Sequence, residues 1–207
     1  MIQMVISLEW CGMLYESYSR IKEAVRNKGV YSEYTNPKLT DIYTLSDGNQ
    51  MFNFYYSKAK DIVKKNNTIS HQGDFVNDEI KRNILEGYSY LRSALLAKMK
   101  GYACSILDRS SRKIVNINTG NIFNKRDFHD CGSIILFFKE VVYDDEIHII
   151  DSLDRLYGNI VFMRNLSLYN PTKLDDKLVY LYPNTYRQRI ESVLRCVSNL
   201  ERIFGRK

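Results

Sequence analysis

Proline is scarce in this chain, with three in 207 residues, and tryptophan occurs once, as Trp10. So little proline goes with a compact chain that is low in loop content. Long apolar runs are also missing. The longest unbroken one, Ile134 to Phe138, is strand-sized, so no membrane-spanning helix is expected and a membrane partner is excluded. The apolar opening MIQMVISLEWCGMLY lacks the basic leading region of a signal peptide and carries Glu9, so it reads as a helix of the fold. The four cysteines, Cys11, Cys104, Cys131 and Cys196, stand far apart with no C-x-x-C pair. That spacing excludes a zinc ribbon or a disulfide framework and fits a reducing, cytoplasmic or otherwise intracellular setting. Phosphate-loop, dinucleotide, nucleophile-elbow and H-E-x-x-H motifs are all absent, which removes the usual nucleotide enzymes and hydrolases and implies no cofactor.

What is present suits one globular domain over residues 1–207, since 44% hydrophobic and 26% charged residues leave enough apolar surface to offset the chain entropy lost on folding. The net charge of +6 is unevenly spread. Residues 1–100 carry +3, residues 101–183 carry −1, and residues 184–207 carry +4. The C-terminal excess comes from Arg187, Arg189, Arg195, Arg202, Arg206 and Lys207, and arginine makes the forked contacts that phosphate favours. Lys58, Lys60, Lys64 and Lys65 form a smaller basic group.

Helical periodicity dominates residues 1–100. Met4, Leu8, Cys11, Tyr15, Tyr18, Ile21 and Val25 recur on one face of a helix expected from Gln3 to Lys28, stopped by Gly29. Tyr31 to Gln50 reads as loop or short strand, with Asn36-Pro37 and Asp47-Gly48 as turn signals. A second helix is favoured from Gln50 to Lys65. The clearest element spans Asp78 to Lys100, capped by Asn77 and closed by Gly101, with Ile80, Ile84, Tyr88, Leu91, Leu95 and Met99 as its buried stripe. Its length should be about 34 Å, making it the spine of the fold.

Beyond Gly101 the pattern resembles strands: YACSIL, KIVNIN, NIF, GSIILFFKEVVY, EIHIID, NIVFM and KLVYLY, separated by polar turns. The expectation is an antiparallel sheet over residues 101–183, with Asp144-Asp145 as a hairpin loop and Ile134 to Phe138 as a central strand apolar on both faces. A last helix, residues 184–207, is expected to begin at Asn184 or Thr185 with Thr185 and Gln188 as a capping box. Its apolar face would comprise Ile190, Val193, Leu194, Val197, Leu200 and Phe204, with Arg187, Glu191, Arg195 and Arg202 opposite. The fold class is therefore α+β: a helical N-terminal layer packed on an antiparallel sheet, followed by a basic amphipathic helix.

Three chemistries compete with a reading as solvated surface. Asp144, Asp145, Glu146, Asp151 and Asp154 crowd one stretch, and Glu79-x-Lys81 and Asp175-x-Lys177 have the short spacing of metal-dependent nucleases. A solvated acidic edge explains the same residues, so the nuclease stands as an alternative. Asp130-Cys131-Gly132 resembles the cysteine box of SUMO-type proteases over three residues. Lys125 and Arg126 stand where that family has Gln, and His71 lies in a polar stretch, so the assignment is rejected and Cys131 is expected to be structural. Cys104, His129, Cys131 and His148 are suitable zinc ligands by type, but their spacing argues against a site.

The reading that follows is a nucleic-acid-binding, non-enzymatic protein, with RNA and DNA undistinguished. Arg187, Arg189, Arg195, Arg202 and Arg206 would contact phosphates, Lys58, Lys60, Lys64 and Lys65 would form a secondary surface, and Tyr186 would stack on a base. An assembly or adaptor protein, acting as a homo-oligomer or through partner interfaces, is the competing expectation. Abundant Asn, Tyr and Ile with little Pro would suit a virus or mobile element of AT-rich genome.

Overall fold

The computed structural model describes residues 39–69, 78–166 and 182–205. Among them lie five helices: α1 (Leu45–Ile69), α2 (Asp78–Arg109), α3 (Cys131–Val141), α4 (Ile147–Leu166) and α5 (Pro183–Phe204). Short 3-10 turns occupy Leu39–Asp41, Lys125–Asp127 and Asp144–Glu146. No sheet occurs among the described residues, and β pairing is confined to one antiparallel bridge, Val115 with Ile122. The α+β expectation is therefore overturned: the protein is mainly helical. The helix expected over residues 3–28 and the strand KLVYLY, apart from Tyr182, lie outside the described residues.

Helix α1 begins at a reciprocal cap. Thr44 N–H donates to Asp47 Oδ2 (2.9 Å), and Asp47 N–H donates to Thr44 Oγ1 (3.1 Å), so two end donors that the helix cannot satisfy internally are satisfied locally. Asp47-Gly48 is thus the first turn of a helix and not a loop. Helices α1 and α2 run antiparallel, their ends marked by Gly48 against Gly101 and by Asn83 Nδ2 donating to Asn66 Oδ1 (3.0 Å). A Cβ built on Gly48 would lie 2.7 Å from the Gly101 Cα, so glycine at both positions lets the two backbones touch. Gly101 therefore marks a helix crossing, and α2 continues past it to Arg109. At 32 residues, α2 is about 48 Å long and is surrounded by the other helices. All six residues of its expected stripe are buried, and Lys98 and Lys100, at the end of the expected helix, lie buried in mid-helix.

The segments read as strands form helices for local reasons. Asp130 caps α3, accepting from Ser133 N–H (2.8 Å), and Ile134, Ile135, Phe137 and Phe138 bury at helical spacing. A short helix buried over most of its circumference looks, as sequence, like a two-faced strand. Helix α4 fuses EIHIID with NIVFM: Ile149, Ile150, Leu153, Leu156, Tyr157, Ile160 and Met163 all bury at spacings of three and four. Asp144-Asp145 begins the turn between α3 and α4, where a hairpin was expected.

Helix α5 lies against both α1 and α2. Pro183 opens it at the first position, where its missing N–H has no partner to lose, and Tyr182 replaces the expected Thr185–Gln188 box as N-cap. Tyr186, Ile190, Val193, Val197, Leu200, Ile203 and Phe204 are buried, while Leu194, expected inside, is 47% exposed. Each large side chain so buried contributes about 1.5–3 kcal/mol relative to exposure. Near the other end, Lys98 Nζ reaches from α2 to Asn49 Oδ1 (2.6 Å) and Glu201 Oε1 (3.1 Å) with the Phe52 and Tyr102 rings beside it, joining α1, α2 and α5. Among the described residues, no helix is long and apolar enough to cross a membrane.

Candidate nucleic-acid interface

Helical geometry sorts the arginines of α5. Arg195 and Arg202 are exposed and seven residues apart, which places them on one outward face about 10 Å from each other. Arg195 Nη2 donates to Ser192 Oγ (3.1 Å) on the same face. Arg187 and Arg189 fall on opposite flanks, are half-buried and already have partners. Arg206 lies outside the described residues. Tyr186 is no stacking platform: its hydroxyl donates to the Ala59 carbonyl (2.9 Å), and its ring stands edge-on to Tyr88 at 5.3 Å. Burial pushes that phenol well above the ordinary tyrosine range.

The four lysines of α1 do not make one surface. Lys60 and Lys64 share the flank that carries Tyr56, whose hydroxyl donates to the Ile190 carbonyl (3.4 Å). Lys58 lies over the Phe54 ring (5.8 Å) and Lys65 donates to Asn83 Oδ1 (3.0 Å), both on the other flank. Lys64 also meets Asp61 at 3.3 Å. Because α1 and α5 are antiparallel, these lysines lie toward the start of α5. Sixteen residues of helix, about 24 Å, separate Tyr186 from Arg202.

At the other end of the bundle the structure gathers cations that charge counting by segment had concealed. Between residues 108 and 127 stand five basic side chains and two acidic ones. Averaged with the acidic stretch 140–154, they vanish into a near-neutral segment; a window of about twenty residues would have shown them. The chain leaves α2 at Arg109, forms a two-armed hairpin and returns to α3. Asn116 N–H donates to the Asn121 carbonyl (2.8 Å) and Phe123 N–H to the Ile114 carbonyl (2.9 Å), so Val115 and Ile122 face each other as a non-hydrogen-bonded pair. Phe123 is buried, stacked on Phe128 and edge-on to Phe137, and Ile114 packs on the core; Lys113, Val115 and Ile122 therefore point outward.

The base of the hairpin is fixed to the bundle. Lys125 Nζ donates to Asp108 Oδ2 (2.7 Å) and to the Tyr43 carbonyl (2.9 Å). Arg109 Nη2 caps the end of α5 by donating to the Phe204 carbonyl (3.0 Å). A cavity of about 410 Å³ lies between, lined by Arg109, Arg112, Ile114, Glu140 and Phe204 among others, so the hairpin base and the end of α5 adjoin. Arg112, Lys113, Arg126 and Arg202 are exposed, and their side chains make no hydrogen bond or ion pair among the described residues.

The competing chemistries do not assemble. Asp151 is held by Lys139 (2.7 Å), whose hydrogen bond lowers its carboxyl below the ordinary range, while Asp144, Asp145 and Asp154 are exposed. Glu79 is exposed and Lys81 buried, on α2, and Asp175-x-Lys177 lies outside the described residues. Cys104 donates to the Ile42 carbonyl (3.7 Å), His129 meets Asp130 at 3.1 Å, and Cys131 is buried, its thiol pushed up to about 12 by desolvation. Among the described residues, no three His, Cys, Asp or Glu side chains are grouped to hold a metal. No family model, curated protein or solved structure matches this chain.

Proposed function

We propose that the protein binds nucleic acid without transforming it, and that the contact is made at the end of the bundle where the hairpin meets the C-terminus of α5. The observation that carries this reading is the grouping, at one end of the bundle, of Arg112, Lys113, Arg126 and Arg202 as exposed cations without side-chain partners among the described residues, around a base that Lys125 and Arg109 tie to the helices. Arg195 extends the same surface along α5, two turns from Arg202. Phosphate selects such a group because each contact releases condensed counterions, and guanidinium offers paired donors to phosphate oxygens. The lysines of α1 are too far from this end to belong to the same contact of a few phosphates. Split between two flanks of α1, Lys60 with Lys64 and Lys58 with Lys65, they would give weaker, secondary contacts.

Binding of labelled duplex and single-stranded DNA and RNA at about 50 and 200 mM salt tests the reading. The intact protein should bind with an affinity that falls steeply with salt. Changing Arg112, Lys113, Arg126 and Arg202 together to Gln should remove most binding, and changing Lys58, Lys60, Lys64 and Lys65 to Gln should remove much less. Equal loss from the two sets would shift the interface away from the hairpin. An intact protein that binds none of the four probes, and whose size rises with concentration, would favour the assembly reading.

A further inference from the structure

We infer that the hairpin of residues 113–124 is a wedge for duplex DNA, entering the minor groove and placing Ile117 between adjacent base pairs. The inference rests on the nucleic-acid reading above and names the form bound and the manner of contact.

Ile117 is 76% exposed, the most exposed large apolar side chain described, yet it sits on one of the most tightly specified turns of the protein. Asn116 Oδ1 accepts from Asn118 N–H (2.9 Å) and Thr119 N–H (3.3 Å), and the Asn116 carbonyl accepts from Gly120 N–H (2.8 Å). Asn121 N–H donates back to Thr119 Oγ1 (3.3 Å), and Gly120 takes φ +70°, a conformation that glycine adopts without strain. An isoleucine held this way is presented to something outside the chain. Behind it Val115 and Ile122, 45% and 47% exposed, form an outward apolar pair, and Asn118 and Asn121 flank the tip with amide groups.

The surroundings decide which partner fits. Three aliphatic side chains offer far less than the roughly 800 Å² per partner that a stable protein interface buries. Exposed cations, Arg112, Lys113 and Arg126, stand at the base of the same hairpin, where the core of a protein interface is depleted in charge. Charge and shape instead match a duplex. The cations at the hairpin base reach the phosphates on either side of a groove. Amides such as those of Asn118 and Asn121 suit the acceptor-rich edges of A·T pairs in the minor groove. An apolar tip unstacks one step and kinks the helix, most easily at a flexible TA step.

The test uses the full-length protein and a duplex of about 20 base pairs with a central TA step, 2-aminopurine beside the step and a fluorophore pair at the ends. Binding of the wild type should raise 2-aminopurine emission and shorten the end-to-end distance. Ile117→Asn, at a solvent-exposed tip, should keep the unfolding midpoint and the salt slope, lose about tenfold in affinity and abolish both signals. The wedge is overturned, with the phosphate reading intact, if the wild type shows salt-dependent binding without unstacking, or if Ile117→Asn leaves affinity and emission unchanged. Absence of any wild-type binding would remove both readings. A change in oligomer size caused by Ile117→Asn would assign the tip to a protein contact and overturn the wedge.

Discussion

Two glycines in helices show how one side chain's worth of space decides sign. Replacing glycine by alanine inside a helix favours the helix by about 1 kcal/mol when nothing else changes. Gly158, in α4, has nothing beyond its own helix backbone within 4 Å of where a Cβ would stand, so Gly158→Ala should stabilise by about 0.5–1 kcal/mol in urea unfolding. A Cβ on Gly101 would come within 3.0 Å of the Gly48 Cα, backbone that cannot move aside. Gly101→Ala should therefore destabilise by about 1–3 kcal/mol through overpacking. A stabilised Gly101→Ala protein would mean that α1 and α2 do not touch there. In sequence the two glycines look alike, because what separates them is a neighbour 53 residues away. The same limit applies to Tyr186. Its amphipathic character was readable, but its burial depends on α1 and α2 both being present.

Element boundaries are set by caps, and α1 shows how a cap couples to pH. Hydrogen bonds from Tyr43 N–H, then from the Thr44 hydroxyl and N–H, hold the Asp47 carboxyl below its ordinary range. A carboxyl whose pKa is lower in the folded state stabilises that state above its unfolded value of about 4 and loses the contribution as pH falls through the folded value. Asp47→Ala should thus cost about 1 kcal/mol at neutral pH, and the difference from wild type should shrink as pH falls below the unfolded value and through the lowered folded one. A difference constant from pH 7 to pH 3 would contradict the carboxylate as cap. Helix α1 and much of α5 were legible because exposed polar faces separate their apolar stripes, and α2 because polar residues, although buried, interrupt its stripe at helical spacing. Helices α3 and α4 were not. Ile134 to Phe138 presents no polar face to break the run, and α4 was divided at Asp151, which the Lys139 ion pair keeps at the surface of a continuous helix. Of the expected sheet, the described residues keep no strand, and only the single bridge between Val115 and Ile122 pairs as β structure.

At the scale of the whole molecule, α5 serves both the core and the proposed interface, and the two roles respond differently to change. Its inner face supplies Tyr186 to Tyr88, Phe204 to Tyr102 and Phe138, and Glu201 to Lys98. A chain ending at Tyr182 would leave all of these uncovered and Lys98 without its carboxylate. That chain should keep part of its helical circular dichroism, lose a sharp unfolding transition and bind a hydrophobic dye, as partly packed states do. Loss of nucleic-acid binding on such truncation would say nothing about contact. The outer charges separate the roles. Arg112, Lys113, Arg126 and Arg202 are exposed, so changing all four to Gln should move stability by no more than about 0.5 kcal/mol per site. If each of the four neutralises one phosphate of duplex DNA, the slope of log affinity against log salt should flatten by about 3.6. A flattened slope with an unchanged unfolding midpoint places the phosphates at the hairpin end. An unchanged slope would mean that the charge segregated into this chain is a solvated surface, with binding, if present, carried elsewhere.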